Sequence, residues 1–572
     1  MNTQLFFEFY KQKQNIERLV PYADKELDYL NLQPDFRFQE RYELHQYWAR
    51  KPWYVVRRCI EHFTKEGDTV LDPFVGSGIT ACESLIARRK VVAVDLNPIS
   101  TLITRVTCYS PINLNSIGVA FEGIEKNIRA TLSFLYDTKC PKCGRAATII
   151  NTLWRNSEPY SIFYHCKHCE DSSLKEIDSY DMSRISEVGK MDIPYWYPKG
   201  IRLSKDADVS YLDQLFTRRN LIALSTLNKE IQTLGEDSTR QLLQLMFSSI
   251  LARCSKLIFI NKYRLQKGIN PAGVWGEKRF WLPSECVENN VFYYFRARIP
   301  KFIKGKQETN ALIGNYYKEG ETIKIYTGSA TDLSKIPSNS IDYCFTDPPY
   351  GGAVQYLDLS ILWNSWLQFP TDSEEEIIIK NGKRSSYQTL LKRAFQEIYR
   401  VLKPGAYLSV TFHSSNITGW NSLLEACRDS GFYLLSIIPL NPIKRSHNQI
   451  ELIGTVKTDL LLTFRKSNEG KFIPKESAKP IDVQSAVIRA ARKLIGEDGS
   501  ASTGEIYDAT IIDWSSTVYH YQVLPEKVRL SINSLRKILR AHSEFESFEE
   551  SASDYKGQHR RIEKWRMKTL KS

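Results

Sequence analysis

The stretch from Thr69 to Asp95 constrains the fold of this chain more than any other. An apolar strand, Thr69 to Asp72, runs into a turn that contains Gly76 and Gly78, and a helical segment follows. A second apolar strand then ends at Asp95. Strand, glycine turn, helix, strand and acid in this order are typical of a nucleoside-binding βαβ unit, in which glycines let the backbone approach the ligand and the acid binds ribose hydroxyls. The sequence therefore predicts a mostly parallel, Rossmann-like α/β sheet.

The residue at the tip of the first strand discriminates between the ligands of such a unit. Residues 76–81 satisfy the dinucleotide pattern, so NAD is one candidate ligand. The Asp72 carboxylate, however, would repel a pyrophosphate seated on the helix N-terminus. It would favour a ligand with an ammonium and a sulfonium group, and S-adenosylmethionine carries both and has no phosphate. We therefore expect S-adenosylmethionine as the cofactor, and the alternatives are NAD and a purely structural glycine turn.

A second motif, Asp347-Pro348-Pro349-Tyr350, follows an apolar run from Ile341 to Phe345 that is predicted to be a buried strand. The Asp347 carboxylate and the Pro348 carbonyl could both accept hydrogen bonds from one amino group, and two prolines leave the loop with few donors. Tyr350 would lie flat against a planar ring. The motif is typical of a pocket for the exocyclic amine of a nucleobase, and an ordinary strand followed by a proline turn is the alternative.

The cysteines indicate a metal site and a cellular compartment. Two pairs, Cys140 with Cys143 and Cys166 with Cys169, each have the knuckle spacing of a structural zinc site. Four thiolates leave no open coordination position, so one zinc ion would stabilise the fold and take no part in the chemistry. An unmetallated loop is the alternative. The other cysteines are scattered, which suits a reducing cytoplasm, and no apolar run reaches the ~18 residues of a membrane span.

Charge and aromatic content point to an acidic polymer as partner. The net charge is +13 and the pI is near 9.0. Between residues 201 and 320, basic side chains alternate with aromatic ones, the pattern that phosphate contact and base stacking require. A solvated basic face over an ordinary core is the alternative. The candidate DNA-binding residues are Lys262, Arg264, Arg279, Arg296 and Arg298.

The motif Asp-Pro-Phe-x-Gly-Ser-Gly-x-Thr at residues 72–80, followed by Asp-Pro-Pro-Tyr at 347–350, resembles the amino-directed DNA methyltransferases, which methylate adenine or cytosine at the exocyclic nitrogen. The segment from His45 to Pro52 resembles the subgroup of adenine-specific DNA methylases that contain a zinc ribbon; otherwise it is a surface loop with cation–π contacts. The resemblance implies base flipping of double-stranded DNA and catalytic roles for Asp347, Pro348, Pro349 and Tyr350. It also implies that Asp332 contacts the adenine of the cofactor, unless it only caps a helix. The cofactor-binding candidates are His45, Asp72, Pro73, Phe74, Gly76, Gly78, Thr80, Asp95, Asn97 and Asp332.

Within this family an Asp at the first position of the second motif is commoner in enzymes that methylate adenine. The resemblance therefore implies transfer of a methyl group to the 6-amino group of adenine, in a cytoplasmic restriction-modification or phage-defence system with a companion nuclease or other subunits. Methylation of the cytosine 4-amino group, methylation of RNA bases and an inactive DNA-binding subunit are the alternatives.

The predicted fold is a methyltransferase sheet with a zinc-ribbon and helical insertion and a C-terminal helical, winged-helix-like unit. Helices are predicted at 53–63 and 390–402, and the last strands at 406–412, 432–439 and 459–464. The predicted regions are a lead-in (1–40), the cofactor-binding half of the sheet (41–125), the zinc ribbon (126–200), a target-recognition region (201–320), the catalytic half (321–470) and the C-terminal unit (480–572).

Overall fold

A computed structural model gives the fold of the chain. It describes residues 35, 37, 39–235, 238–275, 279–351, 354–379, 384–414, 417–440, 459–467, 483–521, 532–553 and 559–568. Most of the predicted lead-in (1–40) and parts of the predicted C-terminal unit (480–572) lie outside these residues.

The cofactor-binding half of the main sheet is built around the glycine turn. Its strands are short and apolar, with Val70 and Leu71 fully buried between layers of helix. The helix predicted at 53–63 is confirmed. In chain order the elements are α1 (Trp53–Phe63), β1 (Thr69–Asp72), α2 (Ile79–Ile86), β2 (Lys90–Asp95) and α3 (Pro98–Cys108).

A long helix then leads away from the sheet into an antiparallel unit. The elements are α4 (Leu114–Tyr136), β3 (Asp137–Lys139), β4 (Ala146–Arg155), β5 (Glu158–Cys166), β6 (Asp171–Glu176) and α5 (Ser179–Lys190). The predicted boundary between residues 125 and 126 falls inside α4. Ile117, Phe121, Ile124 and Ile128 form one continuous buried face on this helix, so the chain has no break at that point.

The segment that follows completes the same unit. Its elements are α6 (Arg218–Thr233), α7 (Ser238–Leu251), α8 (Lys262–Gln266), β7 (Glu285–Asn289) and α9 (Val291–Leu312). Strand β3 pairs only with residues 146–148 of β4, and β7 pairs with residues 151–155, so β7 protects the rest of that sheet edge. The regions predicted as 126–200 and 201–320 therefore share one sheet and one apolar core.

The chain then returns to the main sheet. The elements are β8 (Ile323–Thr327), β9 (Ile341–Thr346), α10 (Tyr356–Trp366), α11 (Arg384–Val401), β10 (Leu402–Phe412), α12 (Ile417–Ser430), β11 (Phe432–Leu440) and β12 (Asp459–Lys466). The sheet order is β11-β12-β10-β9-β1-β2-β8. Strands β8, β2, β1, β9 and β10 are parallel, whereas β12 runs antiparallel between β10 and β11. The predicted α/β sheet is confirmed.

The C-terminal residues form helices and a small sheet. The elements are α13 (Val483–Asp498), β13 (Ala501–Ser502), α14 (Thr503–Tyr521), α15 (Ile532–Ala541), β14 (Phe545–Ser553) and β15 (His559–Met567), with sheet order β13-β15-β14. The strands are an addition to the helices that the sequence predicts. Ile506 and Tyr507 of α14 belong to the same apolar core as β10 and β11, and the Tyr507 hydroxyl donates to the Ser414 carbonyl at 3.2 Å. This part of the chain is therefore packed onto the main sheet.

No helix in the described parts of the chain is long and apolar enough to cross a membrane.

Candidate active site

A cavity opens where the parallel strands β1, β2, β8 and β9 end. The cavity is bounded by residues at the carboxyl ends of these strands and by the loops that follow them. Its volume is about 950 Å³, including the part that is open to solvent. This edge is where ligands bind in open α/β sheets. The cavity-lining residues among the sequence-predicted ones are Asp72, Pro73, Phe74, Gly76, Thr80, Asp95, Asn97, Asp347 and Pro349.

The glycine turn brings backbone amides to the floor of this cavity. Gly76 has φ +53° and Gly78 has φ +81°, the left-handed region that glycine adopts readily. A Cβ on Gly78 would also lie 2.9 Å from Thr104 Cα, so the turn can approach α3 only with glycine here. The Gly76 amide donates to Asp95 at 2.8 Å, and the Asn97 amide donates to the other oxygen of Asp95 at 2.9 Å. Asp95 is thereby oriented at the strand end as a ribose-binding acid would be.

Asp72 is a buried acid on the cavity wall. Its Oδ1 accepts hydrogen bonds from the Phe74 amide at 3.1 Å and from the Thr346 hydroxyl at 3.0 Å. Burial raises the pKa of Asp72 to about 7, against the opposing effect of these hydrogen bonds. A bound cation would stabilise the ionised form of such a carboxylate.

Asp347, at the end of β9, lies in a group of charged residues from three parts of the chain. The Lys51 ammonium is 3.3 Å from Asp347 Oδ2 and 2.7 Å from Asp459 Oδ2. His413 Nδ1 lies 3.2 Å from the other Asp459 oxygen. Burial raises the pKa of Asp347 to about 6, although Lys51 acts in the opposite direction. Although burial alone would raise the pKa of Asp459, Lys51 and His413 hold it below its usual value.

Tyr350 lies beside this carboxylate and does not line the cavity. Its hydroxyl donates to Asp347 Oδ1 at 2.5 Å and accepts a hydrogen bond from Lys51. Its ring contacts Phe412 edge to face, with ring centroids 5.2 Å apart. Pro348, between the two residues, is buried. One group of contacts therefore fixes both the acid and the aromatic residue of the second motif.

Aromatic side chains form a further wall of the cavity, which lies against the glycine turn at Gly76. Tyr47, Trp48 and Tyr356 line the cavity, and Tyr47 stacks on Tyr356 with centroids 6.0 Å apart. His45 lies behind this wall, edge to face with Trp363 at 4.8 Å. Burial lowers the pKa of His45 to about 3, so its ring is neutral. His45 is thus a buried support of the wall, outside the cavity itself.

Asp332 is not part of the cavity. It is exposed, and its Oδ1 accepts from the Ser334 amide at 3.0 Å, as a capping residue does. Ser329 and Ala330 line the cavity in its place, together with Glu375, whose Oε2 accepts from Thr331 Oγ1 at 2.6 Å.

Sequence reasoning also missed Lys51, Asp459 and Glu375. Lys51 lies within the segment 45–52, which the family resemblance does identify, but its partners are hundreds of residues away in the chain. Asp459 is the first residue of a strand, and an acid in that position is a signal that could have been used.

The four predicted cysteine ligands converge. Their sulfur atoms all lie within 4.8 Å of one another. Cys140 Sγ is 3.9 Å from Cys169 Sγ, and Cys143 Sγ is 3.8 Å from Cys166 Sγ. Strand β5 ends at Cys166 and the turns at 140–144 and 166–169 face each other. Four thiols at this spacing fit tetrahedral coordination of one metal ion.

The predicted DNA-binding residues are not equivalent. Lys262 and Arg264 are exposed on α8. Arg279 forms an ion pair with Asp206 at 3.1 Å, and Arg296 forms one with Glu125 at 3.3 Å. Arg298 is half-buried and donates to the carbonyls of Glu43 and Leu44, at 2.8 and 2.6 Å, and to the Ser249 hydroxyl. Arg298 therefore fastens the segment before Lys51 to α9.

Comparisons with known proteins identify the family of this chain. The model of a family of N6/N4 methyltransferases, described as DNA methylase, matches residues 4–105 and 341–543, which include both motifs and leave out the inserted unit. The type II methyltransferase M.MjaII of Methanocaldococcus jannaschii is 22% identical over 376 residues, 62% of this chain and 67% of that protein.

Among solved structures, a putative DNA modification methylase of Thermus thermophilus is 18% identical, with 28% of this chain and 58% of that chain covered and a TM-score of 0.17. The rRNA methyltransferase AviRa of Streptomyces viridochromogenes is 10% identical, with 74% and 87% covered and a TM-score of 0.23. TM-scores this low carry no conclusion about function. The family match covers more than half of the chain, and the chain belongs to the DNA methylase family, whose members methylate exocyclic amino groups.

Proposed function

We propose that this protein transfers the methyl group of S-adenosylmethionine to the 6-amino group of adenine in double-stranded DNA. The observation that carries the proposal is the position of Asp347. Its carboxylate follows β9 and borders the same cavity as Asp72 and Asp95. This shared cavity supports the proposal that the base amine and the cofactor bind side by side.

The residues of the cavity fit S-adenosylmethionine better than a phosphate-bearing cofactor. Asp95 is oriented for ribose hydroxyls by the amides of Gly76 and Asn97, and Asp72 is a buried acid suited to a cationic group. The cations that line the described part of the cavity are Arg50 and Lys51. Arg50 donates to the carbonyls of Tyr42 and His45, and Lys51 is paired with carboxylates, so both cations already have partners within the protein. When bound, S-adenosylmethionine would supply a methyl group on a positively charged sulfur.

The protein's part in the reaction is to orient the amine. A target base must leave the duplex to reach this cavity. Asp347 would accept one hydrogen of its amino group and the Pro348 carbonyl the other, which aims the nitrogen lone pair into the cavity. Tyr350, tethered to Asp347 and Lys51, would stack on the base. Because an amino nitrogen on a base is a poor nucleophile, positioning and electrostatics must supply most of the acceleration.

Adenine is favoured as the target base because the second motif begins with Asp.

The exposed surface around α8 is the proposed DNA contact. Lys262, Arg264 and Lys267 lie there beside Tyr263, which is 63% exposed. From there the chain leads to Trp275, which contacts Trp48 of the cavity wall at 6.3 Å between centroids. Cations and exposed rings next to an active site suit phosphate contact and stacking.

The C-terminal elements α13 to β15 follow the order helix, strand, helix, helix and hairpin, and we propose a winged-helix-like module that contacts DNA or a companion subunit. A restriction-modification or phage-defence role, with a nuclease as partner, rests on the family resemblance alone.

The function is tested with purified protein, tritium-labelled S-adenosylmethionine and either duplex DNA or structured RNA. Label is expected in DNA only, and in N6-methyladenine after digestion to nucleosides. Label in N4-methylcytosine would reassign the base, label in RNA alone would make the protein an RNA methyltransferase, and absence of both transfer and cofactor binding would favour an inactive DNA-binding subunit.

Glu375 is expected to be the carboxylate at the nucleoside end of the cofactor. Replacing it by Gln should weaken S-adenosylmethionine binding by about 10- to 100-fold, since hydrogen bonds to charged groups contribute about 1.5–3 kcal/mol. Asp332→Asn, outside the cavity, should leave the dissociation constant unchanged within about twofold. Isothermal calorimetry measures both. If Asp332→Asn bound S-adenosylmethionine more weakly and Glu375→Gln bound it normally, the adenine contact would belong to Asp332, as the resemblance implies.

One structural zinc ion is expected at the four cysteines. Metal analysis of the purified protein should give one zinc per chain, and Cys143→Ser should lose it and destabilise the inserted sheet, because metal binding is coupled to folding. Cys286→Ser, which changes a half-buried thiol away from the cluster, is the matched control. Full zinc content in the Cys143→Ser variant would exclude this site.

A further inference from the structure

The Lys51 ammonium is saturated by its three acceptors. A protonated lysine has three N–H donors, and Nζ faces Asp459 Oδ2 at 2.7 Å, Asp347 Oδ2 at 3.3 Å and the Tyr350 hydroxyl. Its side chain is only 8% exposed. Burial alone would lower the pKa of Lys51, but Asp347 and Asp459 raise it, so it stays charged. A buried cation with all its donors used is a fixed charge in a defined position.

Three separate parts of the chain bring Lys51, Asp459 and His413 together beside Asp347. Lys51 lies just before α1, on a segment that Arg298 and Arg41 fasten in place. Asp459 begins β12, whose antiparallel direction sets its first residue beside the carboxyl end of β10, with Leu460 opposite Phe412. His413 follows β10 directly. Asp459 and His413 therefore reach the catalytic edge of the sheet because one strand runs against the others.

We propose that Lys51 is a positioning residue for the methyl transfer: it holds the Asp347 carboxylate ionised and the Tyr350 hydroxyl in place, while Asp459 anchors the Lys51 ammonium and offsets part of its charge. The inference rests on the proposed function, since it assigns a role within the same site. The Asp347 carboxylate has about four lone-pair positions, so the contacts with Tyr350 and Lys51 leave acceptor capacity for the target amine.

The charges around Asp347 determine the sign of the expected effects. The titratable groups that face it are Lys51 on the N-terminal segment, Tyr350 on its own loop, Asp459 on β12, Asp72 on β1 and Tyr356 on α10, and His413 faces Asp459. Among the charged ones, Lys51 alone favours the ionised form of Asp347. Asp459 opposes it. Removal of Lys51 and removal of Asp459 should therefore shift the ionisation of Asp347 in opposite directions.

The test compares pH profiles of kcat/KM for the wild type, Lys51→Met, Asp459→Asn and Lys90→Met, an exposed lysine at the start of β2. At saturating S-adenosylmethionine, whose positive charge keeps Asp72 ionised, the acid limb of the wild type should lie at about pH 6, the pKa of Asp347. It should move up by about one unit or more in Lys51→Met, since a nearby opposite charge shifts a carboxyl by about 1–3 units. It should move down in Asp459→Asn and stay in place in Lys90→Met. A merely structural role would lower the rate of Lys51→Met by the same factor at every pH, and that result would overturn the proposal.

A second measurement needs no turnover. Carbon-13 NMR of aspartate carboxyl groups in the cofactor-free protein, with the Asp347 signal assigned by its loss in Asp347→Asn, should show the same opposite shifts of the Asp347 titration. Circular dichroism shows whether Lys51→Met folds. If it does not, Asp459→Asn, which retains the lysine, serves as the test. An Asp347 titration midpoint that does not fall in Asp459→Asn would contradict the proposal. These shifts are independent of activity, so they separate this proposal from the proposed function: an inactive wild type would contradict only the latter.

Discussion

Replacement of Asp347 by Asn should lower the rate of methyl transfer by about 10²- to 10³-fold, the usual cost of removing one preorganised electrostatic group. The amide keeps the size of the carboxylate but loses the negative charge and turns one acceptor into a donor, which repels an amine hydrogen. Asp347 is at the base end of the cavity, so S-adenosylmethionine binding measured by calorimetry should change little. Single-turnover transfer of labelled methyl groups measures the rate.

Asp68→Asn is the matched control, because Asp68 precedes β1 at the opposite edge of the sheet and accepts only the Lys65 amide among the described contacts of its side chain. It should retain the wild-type rate. If Asp347→Asn kept more than about one tenth of the wild-type rate at saturating cofactor, Asp347 could not be the acceptor that orients the amine.

The largest effect on stability is expected at Glu83, on α2. Its side chain is fully buried between two guanidinium groups, 2.6 Å from Arg41 and 2.6 Å from Arg57, and it also accepts from the Tyr42 hydroxyl. Glu83→Gln would remove the one fully buried carboxylate that both guanidinium groups share, and only the more exposed Glu308 and Glu61 would remain as partners of Arg41 and Arg57. Removing one partner from a buried ion pair costs about 3–5 kcal/mol, so the midpoint of urea unfolding should fall strongly.

Glu321→Gln provides the comparison, since its partner Lys318 is 58% exposed and the pair is 3.4 Å apart. Exposed pairs contribute about 0–1 kcal/mol, so this variant should unfold within error of the wild type. Equal midpoints of urea unfolding for Glu83→Gln and Glu321→Gln would show that the contacts of Glu83 do not hold the N-terminal segment on the sheet. Because that segment carries Lys51, Glu83→Gln should also lower kcat/KM for methyl transfer.

The local parts of the site could be predicted from the sequence. The glycine turn, Asp95, Asp347 and the four cysteines are set by short-range patterns, since a strand end, a left-handed turn or a knuckle spacing involves residues that are close in the chain. The alternation of strands and helices likewise predicts the α/β sheet.

The long-range parts could not be predicted in this way. Lys51 meets Asp459 only because β12 runs antiparallel to β10, and strand direction is not visible in the pattern of apolar residues. Arg298 belongs to a basic stretch, but only the packing of α9 turns it towards the carbonyls of Glu43 and Leu44. Asp332 follows a strand of the sheet, yet its side chain caps the next turn, and Glu375 from a later loop borders the cavity instead.

The inserted unit illustrates the same limit. Spacing predicts the zinc site, but the pairing of β7 with β4, between residues 285–289 and 151–155, depends on an edge that β3 leaves uncovered. The boundary that the sequence predicts between the zinc ribbon (126–200) and the recognition region (201–320) therefore lies within a unit that has one apolar core.

The most direct measurement of the central claim is the nucleoside composition of DNA from a methylation-free host that expresses this chain. Mass spectrometry of digested DNA should detect N6-methyladenine with the wild type and none with Asp347→Asn expressed at the same level, and modification-sensitive sequencing of the same DNA should locate it at one recurring sequence. N4-methylcytosine in place of N6-methyladenine, or unmodified DNA beside methylated RNA, would contradict the account.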